Sequence, residues 1–289
     1  MYNVYNSIFT TYERVNAQLK SNPTEGDLTD DQTIVEYYIK AASRDVAQFC
    51  NRTFVPYIRN DVTVKYDQLS PYWVLSLPDD GLVISSIAGD SGSVLPTDQY
   101  ILMDILQTDN GYPYRWVEIS RESNIYINIT RWDYVPRFTI DGIWGYSDQS
   151  YANSWETVST TSATITDSAV TFVVADSSLF EIFDFIRLES EFMLVTGNDT
   201  NTDTLTVTRG VNGSTAAAHD GSVTAINVER WLINTAIQDA TTHLAAYLYT
   251  SRQATGSTLV FGDGTVATQY PALVRSTLFN YKKPIILSV

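Results

Sequence analysis

The residues of this chain able to do bond-making chemistry are two histidines, one cysteine and a set of close-spaced carboxylates. His219 and His243 fall in segments of different texture, so a metal held by both is not expected. Cys50 stands on the apolar side of a predicted helix and reads as a buried structural thiol, with no second cysteine to pair with. Asp199-x-Asn201-x-Asp203 imitates the opening of a calcium loop. Thr204 stands where the sharp-turn glycine belongs, and Gly210 where the bidentate glutamate belongs. Gly262-Asp263-Gly264 is followed by no Lys-Ser/Thr, so it lacks the parts of a phosphate cradle. Glu189 and Glu191 alternate with Leu188 and Phe192, which places both acids on one face of a strand. Paired carboxylates of that kind could hydrolyse a glycosidic bond. In a chain with 33 acids such a pair also arises by chance, and the expectation is a non-enzymatic protein without metal or cofactor.

Composition narrows the remaining classes. The formal net charge of −15 disfavours binding to a phosphate backbone by counterion release. Apolar residues make up 44% of the chain, enough for a packed core, and 19 tyrosines favour pleated surfaces and contact faces. The opening MYNVYNSIF has neither a basic region nor a long apolar run, so no signal peptide is expected, and no membrane span is expected either. The clusters Tyr112-Pro-Tyr114-Arg-Trp116 and Trp132-Asp-Tyr134 could stack on sugar, and a carbohydrate-binding tail or receptor-interacting protein is the alternative they leave open.

These residues hang on a sequence of elements that changes texture twice. A helical stripe runs from Val4 to Lys20 and breaks at Pro23 and Gly26. Thr29 and Gln32 have capping-box spacing ahead of Val35, Tyr38, Ile39, Ala42, Val46 and Phe49, which predicts a second helix ending at Cys50. From Phe54 to Tyr146 short β-rich runs alternate with Pro, Gly, Asn and Asp, and SDQSYANSW (147–155) reads as a hinge. The block 154–228 holds ten acids and two bases, a net −8, with predicted hairpins including Glu191–Thr196 with Thr204–Arg209. Helix is predicted to return from Trp231 to Arg252, and Pro271 opens a last helix, Ala272–Phe279. Residues 271–289 contain Arg275, Lys282 and Lys283 and no acid. The predicted fold class is α+β: a helical body of N- and C-terminal helices, a central β-strand and hairpin region, and an inserted small all-β domain. The predicted domains are 1–153 with 229–289, and an acidic insert at 154–228.

The order of these features resembles the head–tail connector (adaptor) family of tailed phages. EYYIKAASRDVAQFCNRTFVP (36–56) resembles its opening helix leading into a β region. LSLPDDGLVISSI (75–87), Tyr112-Pro-Tyr114 and DGIWGYS (141–147) are similar to its middle strands, and YPALVRSTLFNYKKP (270–284) to its closing helices. The block 154–228 departs from the usual form, and its LTVTRGVNGSTAAAHDGSV (205–223) is similar to a small β-module of other virion proteins. The resemblance implies a ring, dodecameric in expectation, at the virion neck. The ring binds below the portal protein, offers a platform to the next neck or tail protein, and lets DNA pass without sequence-specific binding. No catalytic residue is implied. On that footing Val35, Tyr38, Ala42, Ala240, His243 and Tyr247 are the expected subunit-interface residues. Arg275, Tyr281, Lys282, Lys283, Ile285 and Ile286 are the expected portal-docking set, on a basic-then-apolar tail.

Overall fold

The structure, a computed structural model, describes residues 7–21, 32–65, 74–89, 92–104, 113–120, 137–251 and 271–283. Among these residues the protein is mostly β, with thirteen strands in antiparallel five-, six- and two-stranded sheets and four helices. This corrects the expected helical-body α+β fold. The helices exist, but they form one layer of a chain dominated by strands. The chain divides into two compact units, one of residues 56–155 with 212–214, the other of residues 1–55, 156–211 and 215–289.

The smaller unit is built on a sheet ordered β1-β5-β2-β4-β3. Its strands are β1 (Tyr57–Lys65), β2 (Val74–Gly89), β3 (Tyr100–Met103), β4 (Tyr114–Ile119) and β5 (Arg137–Trp144). Alternation sets the register: in β5 Phe138, Ile140 and Trp144 are buried, and β4 buries Val117 and Ile119 in the same rhythm. β2 runs 16 residues straight through Leu77-Pro-Asp-Asp-Gly81, a run of turn-favouring residues. The ladder survives because its register against β4 shifts between Ser76 and Gly81, so the proline falls where pairing is interrupted. Asp80, buried there, pairs with buried Arg115 at 2.9 Å. Gly142 lets β5 approach β2 closely, since a Cβ there would sit 2.3 Å from the Val83 carbonyl oxygen. SDQSYANSW, expected as a hinge, is a turn tied by the Ser147–Ser154 hydroxyl contact at 2.7 Å and by Ser154 N–H donating to the Ser150 carbonyl at 3.0 Å.

The larger unit joins a sheet to a helical layer. Its strands are β6 (Trp155–Thr161), β7 (Thr164–Ile165), β8 (Thr171–Val173), β9 (Phe185–Leu188), β10 (Glu191–Asp199), β11 (Thr204–Thr208), β12 (His219–Asp220) and β13 (Ile226–Trp231). The six-stranded order is β6-β13-β9-β10-β11-β8, and β7 with β12 makes a two-stranded ribbon. The sheet's core includes Phe172, Ile186, Leu188, Met193, Leu205 and Val228.

The helices are α1 (Tyr12–Lys20), α2 (Gln32–Cys50), α3 (Thr235–Ser251) and α4 (Ala272–Phe279). α2 buries Val35, Ile39, Ala42, Val46 and Cys50, a stripe at three- and four-residue spacing, and its expected cap at Thr29 lies outside the described residues. α3 begins four residues later than its pattern suggested. Trp231 closes β13 instead, its indole N–H donating to the Phe54 carbonyl at 2.9 Å, and the Asn234 side chain caps the helix by accepting from Ala236 N at 2.9 Å. α1 docks end-on against the turn before β9. Tyr12 N–H donates to the Ile182 carbonyl at 3.1 Å, and Ile182 N–H donates back to Glu13 Oε2 at 3.0 Å.

Candidate docking site on the helical layer

α4 is short, and its two buried side chains, Val274 and Leu278, lie one turn apart. That spacing turns Arg275 and Phe279, also one turn apart, toward solvent, and Phe279 is 59% exposed. The chain after α4 is pinned. Tyr281 packs its ring edge-on to Phe54 at 6.3 Å and donates its hydroxyl proton to Asn234 Oδ1 at 3.0 Å. Lys283 is buried, and its N–H donates to the Cys50 carbonyl at 2.8 Å. Cys50 reaches back, its Sγ lying 3.6 Å from the Leu278 carbonyl. Burial pushes the Cys50 thiol up to about 12 despite the opposing charges of Arg52 and Lys282.

This pinning creates a compact surface. Phe279 meets Phe49 of α2 edge-on at 6.2 Å, and the Lys282 ammonium stands 5.6 Å from the Phe49 ring and 5.8 Å from the Phe279 ring. An exposed aromatic therefore sits between two exposed cations, Arg275 and Lys282, on a chain that is strongly acidic. Such a patch can dock on a surface combining apolar area with negative charge.

The expected interface residues divide by burial. Val35, Ala42 and Ala240 are buried in the chain's own helical core, so a neighbouring molecule cannot reach them. Tyr38 is half-buried and packs edge-on to Tyr37 at 5.4 Å and to Tyr249 at 6.1 Å. His243 and Tyr247 are exposed and share one stripe of α3 with Asp239. Of the expected portal-docking set, Arg275 and Lys282 flank Phe279, Tyr281 and Lys283 anchor the segment, and Ile285 and Ile286 lie outside the described residues. Phe279 and Phe49 were missed. The available signal was that Phe279 falls off the Val274/Leu278 stripe, where an aromatic has no core to enter.

The glutamate pair is built differently from its sequence expectation. Glu189 is not in a strand: it takes φ 53 in the tight turn between β9 and β10, and Glu191 opens β10 with its side chain 1% exposed. Arg209 grips Glu191 with Nε and Nη2, each at 2.6 Å, and Gly210 N, Ala217 N and His219 Nε2 approach the same carboxylate at 3.1, 3.0 and 2.9 Å. His219 Nδ1 lies 2.8 Å from Glu189 Oε2. Burial alone would raise the Glu191 carboxyl, but the Arg209, Ala217 and His219 hydrogen bonds outweigh it and hold the group below its usual range. Arg209 also donates to the carbonyls of Thr166, Ala169 and Ala217. With both oxygens of Glu191 engaged, this is a clasp that fastens the 209–219 loop to the sheet.

At the β10–β11 turn Asp199 accepts from Asn201 N at 3.0 Å and from the Thr202 hydroxyl at 2.8 Å. Among the described residues no group of three His, Cys, Asp or Glu side chains has a metal-holding arrangement, and no helix is long and apolar enough to cross a membrane. Comparisons with family models, curated proteins and solved structures found no match for this chain.

Proposed function

We propose that this chain is a structural virion protein, a head-to-tail adaptor. It works by docking and ring assembly beneath the portal protein, and it carries the next neck or tail protein while leaving a channel for DNA. The observation that supports a docking role most directly is the Phe279 patch: an aromatic ring left 59% exposed and bracketed by Arg275 and Lys282. Leaving such a ring in water forfeits the gain from burying it, so the patch is the kind of surface that a partner covers. The exposed Tyr37 and Tyr247 on α2 and α3 add contact area of the same character to the helical layer. The ordered resemblance to phage connectors supplies the setting in which these surfaces act.

Electron microscopy of the purified protein, alone and mixed with portal, tests the reading. Rings, or density for this chain below the portal, are expected. Mature particles that lack the chain at the neck, or turnover of a substrate by the isolated protein, would overturn it.

A further inference from the structure

Resting on the ring reading above, we infer that the Phe279 patch of one subunit is covered by the β10–β11 end of the six-stranded sheet of the next copy. That end of the sheet carries the complementary chemistry. Asp176, Asp199 and Asp203 gather around Ser177: Ser177 N–H donates to Asp203 Oδ1 at 3.0 Å, and the Ser177 hydroxyl donates to the Asp199 carbonyl at 3.3 Å. Asp176, next in sequence, is exposed, as is Asp199. Hydrogen bonds from Thr202 and Asn201 hold the Asp199 carboxyl below its ordinary range, so it stays ionised. Beside these acids two aliphatic side chains face solvent, Val173 and Leu179.

The two surfaces match type for type. One presents an aromatic ring between two cations, the other presents two aliphatic groups beside three carboxylates. They are different surfaces of one chain, so their pairing is head-to-tail, and a head-to-tail contact propagates until the rotation closes a ring. Opposite charges fix the register of such a contact and speed its formation.

The test uses the full chain and two charge variants that leave every turn-capping carboxylate in place. The helix-side variant is Arg275→Glu with Lys282→Glu. The sheet-side variant is Thr200→Lys with Asn201→Lys, both at exposed turn positions. Sedimentation velocity, alone and on portal-bearing heads, reads the association, and thermal unfolding checks that each variant folds. Each variant by itself is expected to associate about tenfold or more weakly than the parent. An equimolar mixture of the two is expected to recover association relative to the helix-side variant alone, because in alternating contacts the unchanged cations of one copy meet the unchanged acids of the next, and the new glutamates face the new lysines. Raising salt from about 0.1 to about 1 M, which shortens the Debye length from about 10 to about 3 Å, is expected to weaken the parent and the mixture alike. If Lys282→Glu loosens the fold, Arg275→Glu alone replaces it in every arm.

Variants that assemble normally, or a mixture that fails to recover, would overturn the pairing and leave the ring reading intact. So would a helix-side variant that still forms rings but no longer attaches to portal, which would assign the patch to the portal. A parent chain that stays monomeric both alone and on portal-bearing heads would overturn the ring reading itself, and the pairing with it.

Discussion

Two arginine-bearing regions of the larger unit treat charge in opposite ways. At the head of β10, Arg209 and Glu191 are buried, their side chains 6% and 1% exposed, and Gly210 N, Ala217 N and His219 Nε2 close on the same carboxylate. On α4, Arg275 and Lys282 stand in solvent beside an exposed ring. The buried pair contributes specificity of fold: it has only one geometry in which both charges are satisfied, and that geometry fixes a loop. The exposed cations keep their charge in water, Lys282 beside the Phe49 and Phe279 rings and Arg275 one turn before Phe279, so they remain open to an acidic partner surface. Composition could not have separated these roles, since an arginine stands at the centre of each.

The sharpest way to break this contrast is to unpair the clasp. Glu191→Gln leaves the Arg209 guanidinium buried without its countercharge. It is expected to destabilise the fold by about 3–5 kcal/mol, read by chemical unfolding. A loss below about 1 kcal/mol would mean that the clasp is not what holds the loop.

pH sharpens the comparison, because two carboxylates of the same unit respond with opposite sign. Burial, with the Glu181 charge nearby, raises Asp184 to about 6, although the Glu181 N–H and Arg230 oppose the shift. Its protonated form is favoured in the folded state, so its contribution is fully present below the ordinary value of 3.8 and is lost as pH rises through about 6. The span corresponds to about 3 kcal/mol at most. Glu191, held low, contributes stability above its ordinary value of 4.5 and loses it as pH falls. Asp184→Asn should remove the loss of stability between pH 4 and 6, as seen in unfolding midpoints across that window. An unchanged profile would show that Asp184 ionises freely in the folded chain.

Cys50 provides a smaller effect. With its thiol pushed up to about 12 and its sulfur buried, it should resist alkylation in the native protein and react only on unfolding. Rapid labelling of the folded chain would show that the α4 anchor opens on its own. The smallest effect on stability belongs to the other side of the contrast. Phe279→Ser removes a mostly exposed ring and should change the unfolding free energy by no more than about 1 kcal/mol, while weakening association clearly. A large loss of stability would reclassify Phe279 as core.

Much of the secondary structure was legible, because periodicity reports burial directly. The stripe Val35, Ile39, Ala42, Val46 gave α2, and Pro271 marked the start of α4. The balance between helix and strand was not legible. Pro78 and Gly81 look like breakers in one dimension, and only the bulge against β4 shows how β2 passes through them. The site was half legible for the same reason. Arg275 and Lys282 could be picked by charge, but the expected contacts Val35, Ala42 and Ala240 were chosen from the apolar stripe, which is the face a subunit buries in itself. The clasp was illegible, since Glu191, Arg209 and His219 meet only through sheet pairing and loop return.

Asn234 Oδ1 accepts two hydrogen bonds at once, from Ala236 N at the start of α3 and from the Tyr281 hydroxyl beyond α4. One oxygen thus serves as a common rivet for the first turn of a helix and for a segment 47 residues further along the chain. Loosening either end leaves the other with a freer, less directional acceptor, so fraying at α3 and lifting of the C-terminal segment should rise and fall together.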